Sequence, residues 1–338
     1  MKKNKAPCSS TNGSAPIPSP SIEETTDIQP NEVKESSEPR EVKSESKPLP
    51  WHIFVQKASD NEIRERFIIE LDSISSKTPS IVTSYNTLLL FEPLDDIQSY
   101  ELDQIYNALS DHKQGTVDIL LILLSRGGDI EPAYQISKLC KSYSKNRFIV
   151  AIPRLGKSAA TLIALGADEI HIGPLGQLGP IDPQLGGLPA LGVTQALKTI
   201  ASLSQDYPGS AEMFARYLRM ALTVEQIGYC DRVSESAAQY AERLLSTKPA
   251  LSTNPSQIAR KLVYEYKDHG FVIDLIEAQT LLGNDWVKTG TPELDFAETI
   301  YRLFDLVNLF LSIHCSKRLL LVGSLSKPVV IIFEKEKT

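Results

Sequence analysis

The stretch Val117-Asp118-Ile119-Leu120-Leu121-Ile122-Leu123-Leu124-Ser125-Arg126-Gly127-Gly128-Asp129 decides the fold. Its first eight residues are apolar apart from Asp118, with none of the alternation of a half-solvated strand. A strand of this kind is buried on both faces, which signals a parallel sheet covered by helices. The run stops at a glycine pair. Helical spacing then takes over across 130–144, with Ala133, Ile136, Leu139, Cys140 and Tyr143 on one stripe. Phe148 to Ile152 reads as the next strand, 158–166 as a helix and Glu169 to Ile172 as a strand again. This alternation predicts an α/β unit with helices on the sheet faces.

Upstream, Trp51 to Phe54 is apolar, and Ile63, Phe67, Ile68, Leu71 and Ile74 mark a helix over 60–76. Ile81 to Tyr85 and Leu88 to Phe91 read as extended, and 95–111 as helix. Downstream, 175–191 is rich in glycine and proline and loop-like. Helices are predicted over 192–205, 208–222, 234–246 and 255–267, the last with Asn254 as cap and Pro255 in the first turn. A short strand over 271–273, a helix over 275–282, a helix from Pro292 to about Ile313 and an extended stretch over 319–333 complete the chain. No internal repeat is visible.

The chain has 338 residues, with 35 Lys+Arg against 42 Asp+Glu, a net charge of −7. An acidic balance argues against nucleic acid as the main partner, because phosphate binding wants a basic surface. No apolar run reaches transmembrane length; Leu303 to Ile313 comes nearest and carries Asp305 and Asn308. The basic Met1-Lys2-Lys3-Asn4-Lys5 is followed by no apolar segment and does not read as a secretory signal. Cys8, Cys140, Cys230 and Cys315 lie far apart, which predicts reduced thiols in a cytoplasmic protein, without a disulfide frame or metal site. Residues 1–50 hold eight of the 21 prolines and no aromatic residue. They are expected to form a disordered polar tail. The expected organisation is therefore the tail at 1–50, an α/β domain over 51–290 and a C-terminal helical and extended appendage over 291–338.

Two turns carry the candidate chemistry. At Ser125-Arg126-Gly127-Gly128-Asp129, bare backbone N–H groups could face a ligand beside a helix start. Three readings stay open: a phosphate cradle, an oxyanion hole, or a tight turn. The phosphate-binding patterns GxGxxG and GxxxxGK[ST] are absent. The second turn, Gly156-Lys157-Ser158-Ala159-Ala160, is close to GxSxG with alanine for the last glycine. Ser158 there is either an activated nucleophile, with the Ala159 and Gly127 amides holding an oxyanion, or a helix N-cap. Both turns follow parallel strands at the carboxyl end of the sheet, where crevices form in open α/β sheets.

These two stretches, with Leu162-Ile163-Ala164-Leu165-Gly166-Ala167-Asp168-Glu169-Ile170 and Leu178-Gly179-Pro180-Ile181-Asp182-Pro183-Gln184, resemble the serine dehydrogenase proteinase family. That family is a prokaryotic branch related to signal peptide peptidase A and, more distantly, to the Clp protease proteolytic subunit. The resemblance covers about 60–285. It implies the ClpP/crotonase-like fold, with repeated ββα units and a mostly parallel sheet flanked by helices. It also implies serine peptidase chemistry on a peptide or protein substrate, with no cofactor, in a homo-oligomer. Many relatives are membrane-anchored; this chain has the polar tail instead, which leaves only peripheral membrane association open.

Carried over by position, Ser158 matches the nucleophile, and Gly127 with Gly128 and Ala159 the oxyanion hole. Arg126 departs from the proline of the relatives. The base is harder to assign. Asp182 stands where the Clp relatives have histidine. Lys198 fits the lysine of signal peptide peptidase A, provided burial depresses its pKa; the other reading is an exposed helix lysine. Lys157 is a competing base, and His269 a lower-ranked one, with a loop-capping role as its alternative. His171 falls on a strand and reads as a core or edge residue. The expected function is a serine endopeptidase acting through an acyl-enzyme on Ser158 with a lysine base. A catalytically silent oligomeric scaffold and a crotonase-like acyl-CoA enzyme are the alternatives.

Overall fold

The apolar run becomes a central strand. In a computed structural model describing residues 48–92, 97–185, 188–248, 254–266 and 268–335, β2 (Asp118–Ser125) is buried along nearly its whole length. Its parallel neighbours are β1 (Tyr85–Glu92) and β3 (Phe148–Ile152), both fully buried. β5 (Glu169–Ile172) and the short β9 (Val287–Lys288) continue the parallel set. Side chains alternate about the sheet plane, as strand geometry requires. Leu121 and Leu123 enter one core with α4 (Ser99–Ser110), α5 (Ile130–Tyr143), α6 (Ala159–Leu165) and α9 (Val224–Leu245). Leu120, Ile122 and Leu124 enter the other, with α1 (Trp51–Phe54), α2 (Asp60–Lys77), α3 (Pro79–Ser84) and α12 (Pro292–Cys315). Covering both faces is what permits a mostly parallel sheet. The protein is thus mixed α/β with helices on both sides, as expected.

Local signals set several helix starts. Ser59 and Glu62 close a capping box at α2, Thr223 and Gln226 another at α9. Asn254 caps α10 (Pro255–Arg260), with Pro255 at the first position as predicted. A π-helical turn, Lys261–Glu265, follows it. The remaining elements are β4 (Leu155–Gly156), β6 (Gln177–Leu178), a small hairpin of β7 (Gln184–Leu185) and β8 (Leu188–Pro189), α7 (Ala190–Asp206), α8 (Ala211–Ala221) and α11 (Leu275–Leu282).

Some readings differ from the sequence expectation. Residues 79–84 are helical, with Pro79 in the first turn, although Ile81-Val82-Thr83 is β-branched. The strand expected at 271–273 reduces to one bridge, Leu178 to Ile273. The segment 291–338, expected as an appendage, belongs to the fold: β10 (Lys317–Ser324) lies antiparallel to β1 and pairs with β11 (Lys327–Glu334), extending the same sheet. Leu49–Thr338 form one compact unit. The tail expected at 1–50 lies outside the described residues up to residue 47. Among the described residues no helix is long and apolar enough to cross a membrane.

Candidate active site

At the carboxyl end of β2 the sheet is extended by two short strands. β4 pairs with β2 through Ser125 and Gly156, and with β6 through Gly156 and Leu178. This register brings the two glycine-containing turns side by side. Gly127 (φ 145°) and Gly128 (φ 133°) occupy backbone conformations that side chains rarely adopt. Both are also sterically obliged to be glycine. A Cβ at Gly127 would lie 2.8 Å from Ser158 Cβ and 3.2 Å from Ser158 Oγ, and one at Gly128 would meet the Ile97 backbone.

Ser158 itself has φ 51° and ψ −120° and makes no side-chain cap hydrogen bond. The N-cap reading of the serine is therefore not realised. Strain of this kind, in a non-glycine residue, costs on the order of 1–3 kcal/mol and persists where the surroundings enforce it. Here they do: Lys157 N–H donates to Ser125 O at 3.1 Å and Ala160 N–H to Lys157 O at 2.9 Å, pinning the turn on both sides. Thr161 Oγ1 lies 2.7 Å from Gly156 O and accepts from Gly179 N–H at 3.0 Å, tying the Ser158 turn to the loop that carries Asp182.

The amides around Ser158 are not equivalent. Gly127 N–H donates to Ser125 Oγ at 3.0 Å. Among the described residues the N–H groups of Gly128 and Ala159 make no hydrogen bond. Gly128 and Ala159 thus carry open N–H donors in the two turns, and Gly127 supplies the close approach to Ser158.

Ser158, Gly127, Gly128, Lys157 and His269 line one cleft of about 960 Å³. Behind them, Asp182 is 5% exposed. Burial pushes its carboxyl up to about 6. Its Oδ2 lies 4.0 Å from His269 Nδ1, and its Oδ1 has no hydrogen-bond partner among the described residues. Lys157 Nζ donates to Gly270 O at 2.8 Å, which straps the His269 loop to the Ser158 turn. Burial, and then the nearby Arg126 charge, hold the Lys157 ammonium below its usual pKa. Lys198 is not brought in. It sits exposed on the outer side of α7, away from the cleft, whereas its flanks Leu197 and Ile200 are half-buried. The burial on which its assignment as base depends is absent. His171, as read, is a buried strand residue, hydrogen-bonded with Glu169 at 3.1 Å and with Thr291 at 2.8 Å.

One wall of the cleft was not anticipated from sequence. Tyr229, Arg232, Val233 and Ser236 form a single stripe of α9 facing it. A helix start at 234 leaves out Tyr229, Arg232 and Val233; the Thr223-x-x-Gln226 box marks the true start.

Residues 97–206 match the model of a family described as ClpP-like SDH-type serine proteinase. Two uncharacterized proteins of Methanocaldococcus jannaschii are each 38% identical to this chain, over 78 and 76 residues. Those matches cover 23% and 22% of this chain and 27% and 26% of the relatives, so the chain spans about a quarter of their length. Among solved structures, a mutant of the membrane-bound stomatin-specific protease 1510-N with a substrate peptide is similar at 16% identity. Its TM-score is 0.41, covering 62% of this chain and 78% of that one. ClpP1 of Listeria monocytogenes is similar at 16% identity and a TM-score of 0.37, covering 64% and 98%.

Proposed function

We propose, from the match of residues 97–206 to the model of the ClpP-like SDH-type serine proteinase family, that this chain cleaves peptide bonds through an acyl-enzyme on Ser158. The observation that carries this reading is the strained Ser158 turn. Its hydroxyl makes no cap bond, lines the cleft and lies against Gly127. A serine used only to start a helix has no need of this backbone.

In the proposed reaction Ser158 Oγ attacks the scissile carbonyl carbon and loses its proton to a base. The Gly128 and Ala159 N–H groups donate to the oxyanion that forms. Collapse of the tetrahedral intermediate expels the amine, which takes a proton from the protonated base. Water then attacks the acyl-enzyme by the same route and frees Ser158. For the base we assign His269, with the Asp182 carboxylate 4.0 Å behind Nδ1 to orient the ring and stabilise its cation. Catalytic contacts in unliganded sites are often long and tighten only around a substrate. Lys157, the remaining lysine candidate, has its amine engaged with Gly270 O and acts as a strap on the His269 loop.

A fluorophosphonate probe tests the reading. It should label the wild-type chain on Ser158, and Ser158→Ala should lose both label and peptide hydrolysis. Hydrolysis retained in Ser158→Ala would overturn it. A folded protein that neither labels nor hydrolyses would leave the silent-scaffold alternative standing.

A further inference from the structure

The nine-stranded sheet ends on one side at β11, which pairs with β10 alone. Two hydrogen bonds fix which way its backbone points. Lys335 N–H donates to Ser316 O at 2.8 Å, and Leu325 N–H to Thr87 O at 2.9 Å. Antiparallel ladders alternate between hydrogen-bonded pairs and pairs whose polar groups turn outward. The hairpin of β10 and β11 therefore bonds at the odd-numbered residues of 327–333. It turns Pro328, Val330, Ile332 and Glu334 to the open edge. Among the described residues the N–H groups of Val330, Ile332 and Glu334 find no acceptor.

An open edge is a template for another strand, and proteins blunt it with charge, proline, a bulge or shortness. β11 is eight residues long and keeps such devices to its ends. Lys327 and Pro328 open it and Glu334 closes it, whereas Val329-Val330-Ile331-Ile332-Phe333 carries no charge, glycine or proline. Pro328 sits where an edge admits proline, with its missing donor facing outward. One face of the strand is also incompletely covered. Val330 and Ile332 are buried in the core with α12, but Val329, Ile331 and Phe333 on the other face are only partly buried.

We propose that β11 pairs antiparallel with β11 of a second copy of this chain, about a two-fold axis at Ile331, so that one sheet runs through both. Register and charge select this occupant. A two-fold normal to the sheet sets residues of one face against each other. With Ile331 on the axis, Val330 faces Ile332, Val329 faces Phe333 and Pro328 faces Glu334 of the other copy. Val330 and Ile332 then exchange both bonds, and Glu334 N–H donates to Pro328 O, so every open donor is used. Apolar side chains meet apolar ones on both faces, the pairs that stabilise a sheet. An axis one residue later would set Val330 against Glu334; one residue earlier would set Lys327 against Phe333. The ends match as well. Each gathers Lys327, 2.9 Å from Asp111, from one copy. The other copy brings Lys335 and the exposed Glu334, the latter 3.9 Å from its own Lys317. Parallel strands would instead set each end on its like. The inference does not depend on the reading of Ser158.

Sedimentation velocity on the full chain, over a dilution series, should show copies associating in pairs. Ile331→Lys sets two ammonium groups face to face at the axis and should weaken association by roughly tenfold or more. Ile331→Glu should do the same, and mixing the two variants should restore the pair. Ile331→Cys gives a gentler probe. Facing residues of a non-hydrogen-bonded pair lie about 4.5 Å apart at Cα, within disulfide reach. Mild oxidation should therefore join two copies of Ile331→Cys. Val329→Cys, which faces Phe333 and not itself, should stay unlinked and controls for the native cysteines. Where Ile331→Lys fails to fold, the comparison of the two cysteine variants decides alone. A wild-type monomer at every concentration overturns the proposal and leaves the edge to a strand of different sequence. Association that the charged variants do not weaken, or equal cross-linking of the two cysteine variants, overturns it too and puts the contact elsewhere on the surface.

Discussion

At Asp182 the interests of folding and of the proposed chemistry oppose each other. Burial raises its carboxyl from an ordinary 3.8 to about 6. Between those values the folded chain binds more protons than the unfolded one, so stability falls as pH rises through the window. By pH 7 the ionised carboxylate costs on the order of 2–3 kcal/mol relative to a solvated one. Asp182→Asn should therefore raise the melting temperature at pH 7 and make little difference near pH 4. The same substitution should lower kcat/KM, because a neutral amide cannot stabilise the His269 cation. Paired melts at pH 4 and pH 7 with a rate measurement check both; a variant less stable than wild type at pH 7 would contradict the assignment. The wild-type rate should also climb through about pH 6 as the carboxylate ionises. The Ser158 and Gly127 turns were legible in the sequence because each is specified by its own local residues. The partner of Asp182 was not. His269 reaches the cleft through a strap between Lys157 and Gly270, residues 113 apart in the chain, and no local pattern records that contact.

Among the elements, strands β3 and β5 and helix α11 fall where their residue patterns put them, since each pattern is strong within a few residues. α3 does not. Its β-branched Ile81-Val82-Thr83 favours an extended chain, yet Pro79 sits in the first turn and Ile81 is buried in the core beside α12. Tertiary burial overrides a weak intrinsic preference. α9 shows the reverse case, a local signal that was present and decisive. Thr223 accepts from Gln226 N–H while the Gln226 side chain accepts from Thr223 N–H at 2.9 Å. This box fixes the first turn of the helix whose Tyr229, Arg232 and Ser236 wall the cleft. Thr223→Ala removes one half of it and should cost about 1 kcal/mol of stability. The effect should reach the site as faster amide exchange over 224–232 and a raised KM, with kcat less affected. Hydrogen exchange that is unchanged there would separate the box from the wall.

Taken whole, the molecule is a sheet with two covered faces, and its last third bears on both. The sequence divided the chain near 290 because 319–333 reads only as extended, and the strand that joins it to the main sheet lies far off in sequence. Its partner is β1, more than two hundred residues earlier: Leu88 faces Ser324 and Phe91 faces Leu321. α12 in turn stacks Phe304 on Phe91 with ring centroids 4.9 Å apart, beneath the same strand. A chain ended after Ser316 would lose β10 and β11 and expose the β1 edge. It would also forfeit the burial of Leu319, Leu320, Leu321, Val322, Val330 and Ile332, all under 9% exposed. Each such side chain is worth about 1.5–3 kcal/mol when fully buried. Together they match or exceed the roughly 5–15 kcal/mol that holds a whole domain folded. The shortened chain should therefore lack a cooperative melt, and circular dichroism with limited proteolysis would register the loss. An appendage would behave otherwise: removing it would leave the melting temperature of the remaining domain where it was. That outcome would mean that β1 tolerates an open edge and that the parallel strands with α12 suffice for the core. The full register of eight pairs between β10 and β11, closed at Ser324 and Lys327, argues against it. The hairpin is a complete ladder, and its buried side chains have no other surface to cover.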